Sequence, residues 1–243
     1  MPKVLVNTIP KSGTHLMANF VWLTLTGEHH NGRGRFIREV SEAPFSRCTI
    51  EGAVELRAMK GSGLWTGHIF YHHELPLAFR RCGLTTLFLY RDPRAVIVSR
   101  AHYMTDHHGH YHSEHLRKFK TISARVCAII RGWGTGDGMD PENAYNIADF
   151  YDQFEGWRYD VPAFRYEDLL SDGASQVERI AEIFGVEVDN PAEVATSALG
   201  IQTATFRVGT VDAWRYDWTE QHEALFNRVA PDFLKAWGYA DAD

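Results

Sequence analysis

Two short segments carry residue types and spacings suited to holding anions. The first is Pro10-Lys11-Ser12-Gly13-Thr14-His15, which follows the apolar run Val4–Asn7 and precedes Leu16, Phe20 and Leu23 at helical spacing. Backbone N–H groups at a helix start have no internal partner, and the helix dipole adds positive potential, so an anion is the natural occupant. Gly13 lets the chain approach a phosphate, Lys11 adds a cation, and Ser12 and Thr14 add hydroxyls. The order differs from Gly-x-x-x-x-Gly-Lys-Ser/Thr, because Lys11 precedes the glycine and no glycine stands where that motif begins. A plain strand–helix turn accounts for the same composition. The second segment runs from Leu87 to Ser99. There Arg91 ends an apolar strand, Asp92 is suited to an N-cap, and Pro93 to the first helical position. Ser99 falls about two helical turns beyond Asp92, on the same face. Arg91 can offer a fork of charged donors and Ser99 a hydroxyl to one phosphate. Taken singly, each also fits a surface ion pair or an exposed helical serine.

The elements that must position these residues alternate between strand and helix. Val4–Asn7, Leu64–His68, Leu84–Tyr90 and Val161–Tyr166 read as strands. Helical spacing follows over Pro93–Met104, Ile122–Arg131, Ser175–Gly185 and Thr219–Trp237, the last interrupted at Pro231. Gly27–Glu42, rich in Gly, His and Arg, reads as an irregular surface loop. This alternation predicts an α/β fold: a central parallel sheet flanked by helices, in a single domain over residues 1–243.

Composition narrows the class. The chain has 243 residues, enough to bury roughly 70–75% of its unfolded surface without disulfides or metal. Its 25 Lys+Arg against 31 Asp+Glu give a formal charge of −6, which argues against nucleic acid or a polybasic membrane patch. Cys48, Cys82 and Cys127 are few and scattered, the pattern of reduced thiols. No stretch approaches the roughly 20 apolar residues of a membrane span, and Met1 leads straight into a strand. A cytoplasmic protein is expected.

Two further segments complete a pattern: Phe164-Arg165-Tyr166-Glu167-Asp168-Leu169, and Thr205-Phe206-Arg207-Val208-Gly209 continuing to Trp214 and Thr219. With the Pro-Lys-Ser-Gly-Thr turn and the Arg-Asp-Pro-Arg…Val-Ser unit, in this order, the chain resembles the sulfotransferases that use 3′-phosphoadenosine 5′-phosphosulfate (PAPS). The resemblance implies a P-loop-like sulfotransferase fold. It implies that Lys11, Ser12, Gly13, Thr14 and His15 hold the 5′-phosphosulfate end of PAPS, and that Arg91 and Ser99 hold its 3′-phosphate. Arg207 and the Gly209 amide would close over that phosphate, and Tyr166 would lie near the adenine or serve only as a half-buried core tyrosine. Val208 replaces the family's lysine in the C-terminal motif, and Asp212 its later glycine.

Thirteen histidines are present, so position must select among them. His68 closes Leu64-Trp65-Thr66-Gly67-His68, between the two anion segments, with Glu74-Leu75-Pro76 opening the next element. In cytosolic sulfotransferases a Lys-Thr-His segment at this place carries the general base. The resemblance therefore makes His68 the base, with Thr66 where the lysine would stand. Imidazole, with an ordinary pKa near 6.5, suits an acceptor that must lose a proton as it attacks sulfur. Lys11 would stabilise charge on the departing phosphate oxygen.

For His72 and His73 a partly buried structural role is expected. His107, His108, His110, His112 and His115 read as a polar loop rather than a zinc site, since no Glu completes the metalloprotease arrangement. Gly132–Gly138 follows a helix and reads as a flexible loop; Trp214, Tyr216 and Trp218 line the acceptor or pack the lid, with core packing the preferred reading. The expected activity is direct in-line sulfuryl transfer, with PAP as product and no metal required, to a small-molecule alcohol, phenol or amine of natural-product type, with carbohydrate a second acceptor class. Two rivals remain at this point: a nucleotide kinase, which should carry the Gly-x-x-x-x-Gly-Lys order, and a non-catalytic nucleotide-binding module. Acceptor identity and oligomeric state are not encoded in these motifs.

Overall fold

Lys3–Thr8 carries Val4, Leu5 and Val6 with every side chain from Val4 onward buried, the signature of a strand covered on both faces. In a computed structural model, residues 1–28, 37–39, 62–106, 116–132, 145–201 and 211–239 are described. Among these the elements begin with β1 (Lys3–Thr8), α1 (Thr14–Thr26), β2 (Ile37–Glu39), β3 (Gly63–Gly67), α2 (Leu75–Arg81) and β4 (Leu84–Tyr90). There follow α3 (Pro93–Asp106), α4 (Ile122–Arg131), α5 (Ile147–Asp152), α6 (Trp157–Asp160), β5 (Ala163–Arg165) and α7 (Tyr166–Ser171). The chain continues through α8 (Gly173–Phe184), α9 (Pro191–Gly200), a 3-10 helix (Ala213–Asp217), α10 (Glu220–Val229) and α11 (Phe233–Ala236).

Two compact units divide the chain: Met1–Arg91 with Phe154–Gly209, and Asp92–Gln153 with Thr210–Asp243. The first holds the whole sheet. Its order is β2-β3-β1-β4-β5 and every pairing is parallel, as the alternating pattern predicts. On one face Val4, Val6, Leu87 and Leu89 pack with Phe20 and Val21 of α1, Val177 and Ile180 of α8, and Ala195 and Ala198 of α9. Aromatic rings gather from Phe88, which stacks with Phe154, and from Phe79 of α2, which stacks on Trp157. One expectation is corrected here. Ile37–Glu39, inside the stretch read as irregular loop, is a three-residue edge strand paired with β3. A run that short, between Gly-, His- and Arg-rich neighbours, carries no detectable period of two, and short edge strands are common because they limit unwanted pairing.

The second unit is helical. Val96, Ile97 and Val98 on α3 are all buried, together with Ile129 and Ile130 of α4, Phe150 and Tyr151 of α5, and Phe226 of α10. The Asp92 carboxylate accepts the Arg94 backbone N–H at 2.8 Å, the role expected for it at the start of α3. It also pairs with the buried Arg94 guanidinium at 2.8 Å, which lies over the Trp214 ring. Helicity stops at Ala230 and resumes at Phe233, a break at Pro231 in which Asp232 takes φ 58°.

Candidate functional site

In a parallel sheet the loops leaving the carboxyl ends of the strands share one edge, where ligands bind. β1 lies between β3 and β4, with Asn7 opposite Gly67 on one side and Phe88 on the other. The segments that leave the three central strands at this edge are the Ile9–Ser12 turn after β1, His68 after β3 and Arg91 after β4.

The turn is built for an anion. The Ser12 N–H donates to the Ile9 carbonyl at 3.1 Å and closes it. Lys11 and Gly13 take φ of 71° and 98°, with Ser12 between them outside the left-handed region. Alternation of hand along successive residues turns backbone N–H groups toward one concave side. α1 begins at Thr14 with no side-chain cap and no acidic residue in its first turn. Ser12 is fully buried, and its Oγ has no hydrogen-bond partner among the described residues, a polar atom left for a ligand to satisfy. The Thr14 and Thr8 hydroxyls meet at 2.7 Å, and His15 is exposed.

Arg91 reaches back to the same turn. Its Nη1 donates to the Lys11 carbonyl at 3.4 Å, and its guanidinium lies 4.1 Å above the Tyr166 ring. Tyr166 is buried and packs against Gly13 so closely that a Cβ there would stand 2.5 Å from Tyr166 Cδ2. Gly13 thus meets the edge of the Tyr166 ring while Arg91 lies over its face, so the buried tyrosine has a definite partner in the turn. Burial and the nearby Arg91 lower the Lys11 pKa from 10.5 to about 8, so the ammonium is mostly charged at neutral pH and loses its proton more readily than an exposed lysine.

His68 Nδ1 lies 2.9 Å from the Thr8 carbonyl oxygen and 3.0 Å from the Thr8 hydroxyl. A carbonyl only accepts, so Nδ1 carries the hydrogen and the lone pair of the neutral ring is on Nε2. Burial, with Lys11 and His15 nearby, lowers the His68 pKa from 6.5 to about 4, although the Thr8 carbonyl opposes this. His68 is neutral at pH 7. Thr8 was not singled out by sequence reasoning. Its only signal was that it ends β1 one residue before the turn begins.

Lys11, Ser12, Gly13, Thr14, His15, His68, Arg91 and Tyr166 all belong to the first unit. Ser99 stands partly exposed on α3 of the second unit. Arg207 and Gly209 lie outside the described residues, as do His107–His115 and most of Gly132–Gly138. His72 and His73 are exposed rather than partly buried, because they sit on the loop between β3 and α2. Tyr216, read as a packing residue, is 91% exposed, whereas Trp214 is buried and meets Trp218 edge to face. Among the described residues no group of three His, Cys, Asp or Glu is placed to hold a metal, and no helix is long and apolar enough to cross a membrane.

A family model described as a sulfotransferase domain matches residues 1–199. The chain is similar in fold to a mouse sulfotransferase crystallised with PAP, at 18% identity and TM-score 0.66, over 96% of this chain and 85% of that one. Retinol dehydratase in complex with androsterone and the inactive cofactor PAP is similar at 16% identity and TM-score 0.63, over 96% and 80% of the two chains.

Proposed function

Since the chain belongs to the sulfotransferase family, we propose that it transfers a sulfuryl group from PAPS to a hydroxyl or amine of a small molecule, with His68 as base and Lys11 as the cation at the leaving group. One observation carries this reading: a turn shaped for anions, an oriented neutral imidazole and an arginine leave adjacent strands at one sheet edge. The buried, unpartnered Ser12 hydroxyl and the uncapped start of α1 fit an anionic nucleotide at the turn. Bound there, PAPS supplies the sulfuryl group and leaves as PAP.

The chain's own residues then divide the work. Lys11, Ser12, Gly13, Thr14 and His15 hold the 5′ end, largely through backbone N–H groups. Arg91 meets the 3′-phosphate, and Tyr166 supports Arg91 from beneath, beside the adenine. Ser99, Arg207 and Gly209 enter this reading from their sequence motifs. His68 Nε2 accepts the acceptor's proton, and the Thr8 carbonyl holds the imidazolium that forms through Nδ1–H. Lys11 and the α1 amides receive the charge developing on the departing phosphate oxygen. Burial is the main cause of the depressed His68 pKa, and the donor's negative charge would offset only the smaller contribution of Lys11 and His15.

An alcohol, phenol or amine of natural-product type is the proposed acceptor, and the cytoplasm the proposed setting, in keeping with the free thiols of Cys82 and Cys127. The retinol dehydratase complex with androsterone supports a small lipophilic acceptor by analogy. The test is an acceptor screen with labelled PAPS on wild type and His68→Ala. Wild type is expected to turn over, and His68→Ala to lose about 10²–10⁴-fold while keeping its PAP affinity. A His68→Ala protein that binds PAP and retains most of its turnover removes His68 from the role.

A further inference from the structure

Where β3 ends, its chain leaves the ladder, and the backbone groups beyond Gly67 need other partners. Ile69 finds them in two side chains. Asn7 of β1, fully buried, accepts the Ile69 N–H on Oδ1 at 2.7 Å and donates Nδ2–H to the Ile69 carbonyl at 3.0 Å. Only one orientation of the amide satisfies both bonds, so its flip is fixed. Trp157 of α6, also fully buried, donates its indole N–H to the same carbonyl at 2.8 Å. Asn7 sits opposite Gly67 in the ladder. Its side chain therefore does for Ile69 what a further strand residue would do, and it lets the chain bend at the residue between. That residue is His68.

We propose that Asn7 and Trp157 are positioning residues for His68, clamping the backbone of the next residue, Ile69, so that the His68 Nδ1–H is held against the Thr8 carbonyl and Nε2 faces the reacting groups. A fully buried polar side chain is costly unless both its donor and its acceptor are used, and here both are spent on the backbone N–H and C=O of one residue, the one after His68. The inference rests on the reading of His68 as the base.

Ring-nitrogen NMR of histidine in the full chain, with His68 assigned through His68→Ala, tests the clamp without needing an acceptor. Wild type should show the Nδ1–H tautomer, neutral well below pH 6.5, with Lys11 and His15 the titratable groups nearby. In Asn7→Ala the Nε2–H tautomer should appear and the titration should move toward 6.5. Trp157→Phe keeps the aromatic packing, loses only the indole N–H, and should shift both in the same direction by less. PAP affinity should stay within about twofold in either variant, because the side-chain hydrogen bonds of both residues go to Ile69 and not to the Ile9–Ser12 turn. An unchanged His68 tautomer and titration in folded Asn7→Ala overturns the proposal. Should Asn7→Ala fail to fold, an unchanged Trp157→Phe spectrum overturns it instead. Failure of the base reading appears elsewhere, as turnover retained by His68→Ala, so the two ideas fail separately.

Discussion

Gly13→Ala puts the packing of the anion turn to a quantitative test. Gly13 has φ 98°, where an L residue is strained by about 1–2 kcal/mol. Its added Cβ would lie 2.5 and 2.7 Å from Tyr166 Cδ2 and Cε2, whereas carbons prefer about 3.5–4.0 Å, so the ring must retreat by about 1 Å. Tyr166 is buried and carries the Arg91 guanidinium 4.1 Å above its ring, an attraction worth about 0.5–2 kcal/mol that the retreat would break. The backbone strain should appear as lost stability, about 1–3 kcal/mol with the collision included. Loss of the Arg91 support should appear as PAP affinity weakened by about 2- to 30-fold, at 1.4 kcal/mol per tenfold. Calorimetric titration with PAP reads the second quantity and urea unfolding the first. Repeating both in a Tyr166→Ala background should shrink the cost of Gly13→Ala, since the ring collision is then absent. A Gly13→Ala protein with wild-type PAP affinity and wild-type stability refutes the edge contact of Gly13 with Tyr166 and the function given to it.

Three other outcomes follow from the same structure. The acid limb of kcat/KM should lie near pH 4, because His68 accepts a proton only when neutral and its pKa in the ligand-free protein is about 4; a limb near 6.5 contradicts its buried setting. His222 is fully buried, with Nδ1 accepting the Thr219 N–H at 3.1 Å and Nε2 against the Ser123 hydroxyl at 2.8 Å, and burial lowers its pKa below 6.5. Its neutral form therefore stabilises the fold above pH 6.5, and that contribution is lost as pH falls through the lowered value. His222→Gln, able to complete the same capping box, should show a shallower loss of stability in urea titrations between pH 7 and 4. Asp92→Ala takes the paired carboxylate from the buried Arg94 guanidinium and uncaps α3, so unfolding free energy should drop by about 3–5 kcal/mol; Asp92→Ala with Arg94→Met should lose less than Asp92→Ala alone.

The positions of the anion turn and Arg91 at strand ends were legible only from the motifs taken together and in order, and His68 was picked out of thirteen histidines only through the family resemblance. The parallel sheet was legible through buried runs such as Leu84–Tyr90. What escaped depends on register across the sheet rather than on neighbours in the chain. Asn7 looks like a polar interruption of β1 until the ladder sets it opposite Gly67 and its amide beside Ile69. Tyr166 could be assigned to adenine or to the core from sequence, and only its packing on Gly13 and under Arg91 gives it a definite neighbourhood. β2 was hidden by brevity, and Tyr216 was misjudged because an aromatic residue near two tryptophans suggests packing, while the 3-10 helix turns it outward.

The placement of β1 between β3 and β4 also orders events during synthesis. The Lys11 turn leaves the ribosome first, yet its companions on the sheet edge follow only after His68 and then Arg91 have emerged and both neighbouring strands have found their registers. Pairings so distant in sequence form late in folding. A newly made chain therefore lacks the proposed anion site until its central three strands are joined, and a ligand bound there would then draw on the partly folded population by mass action.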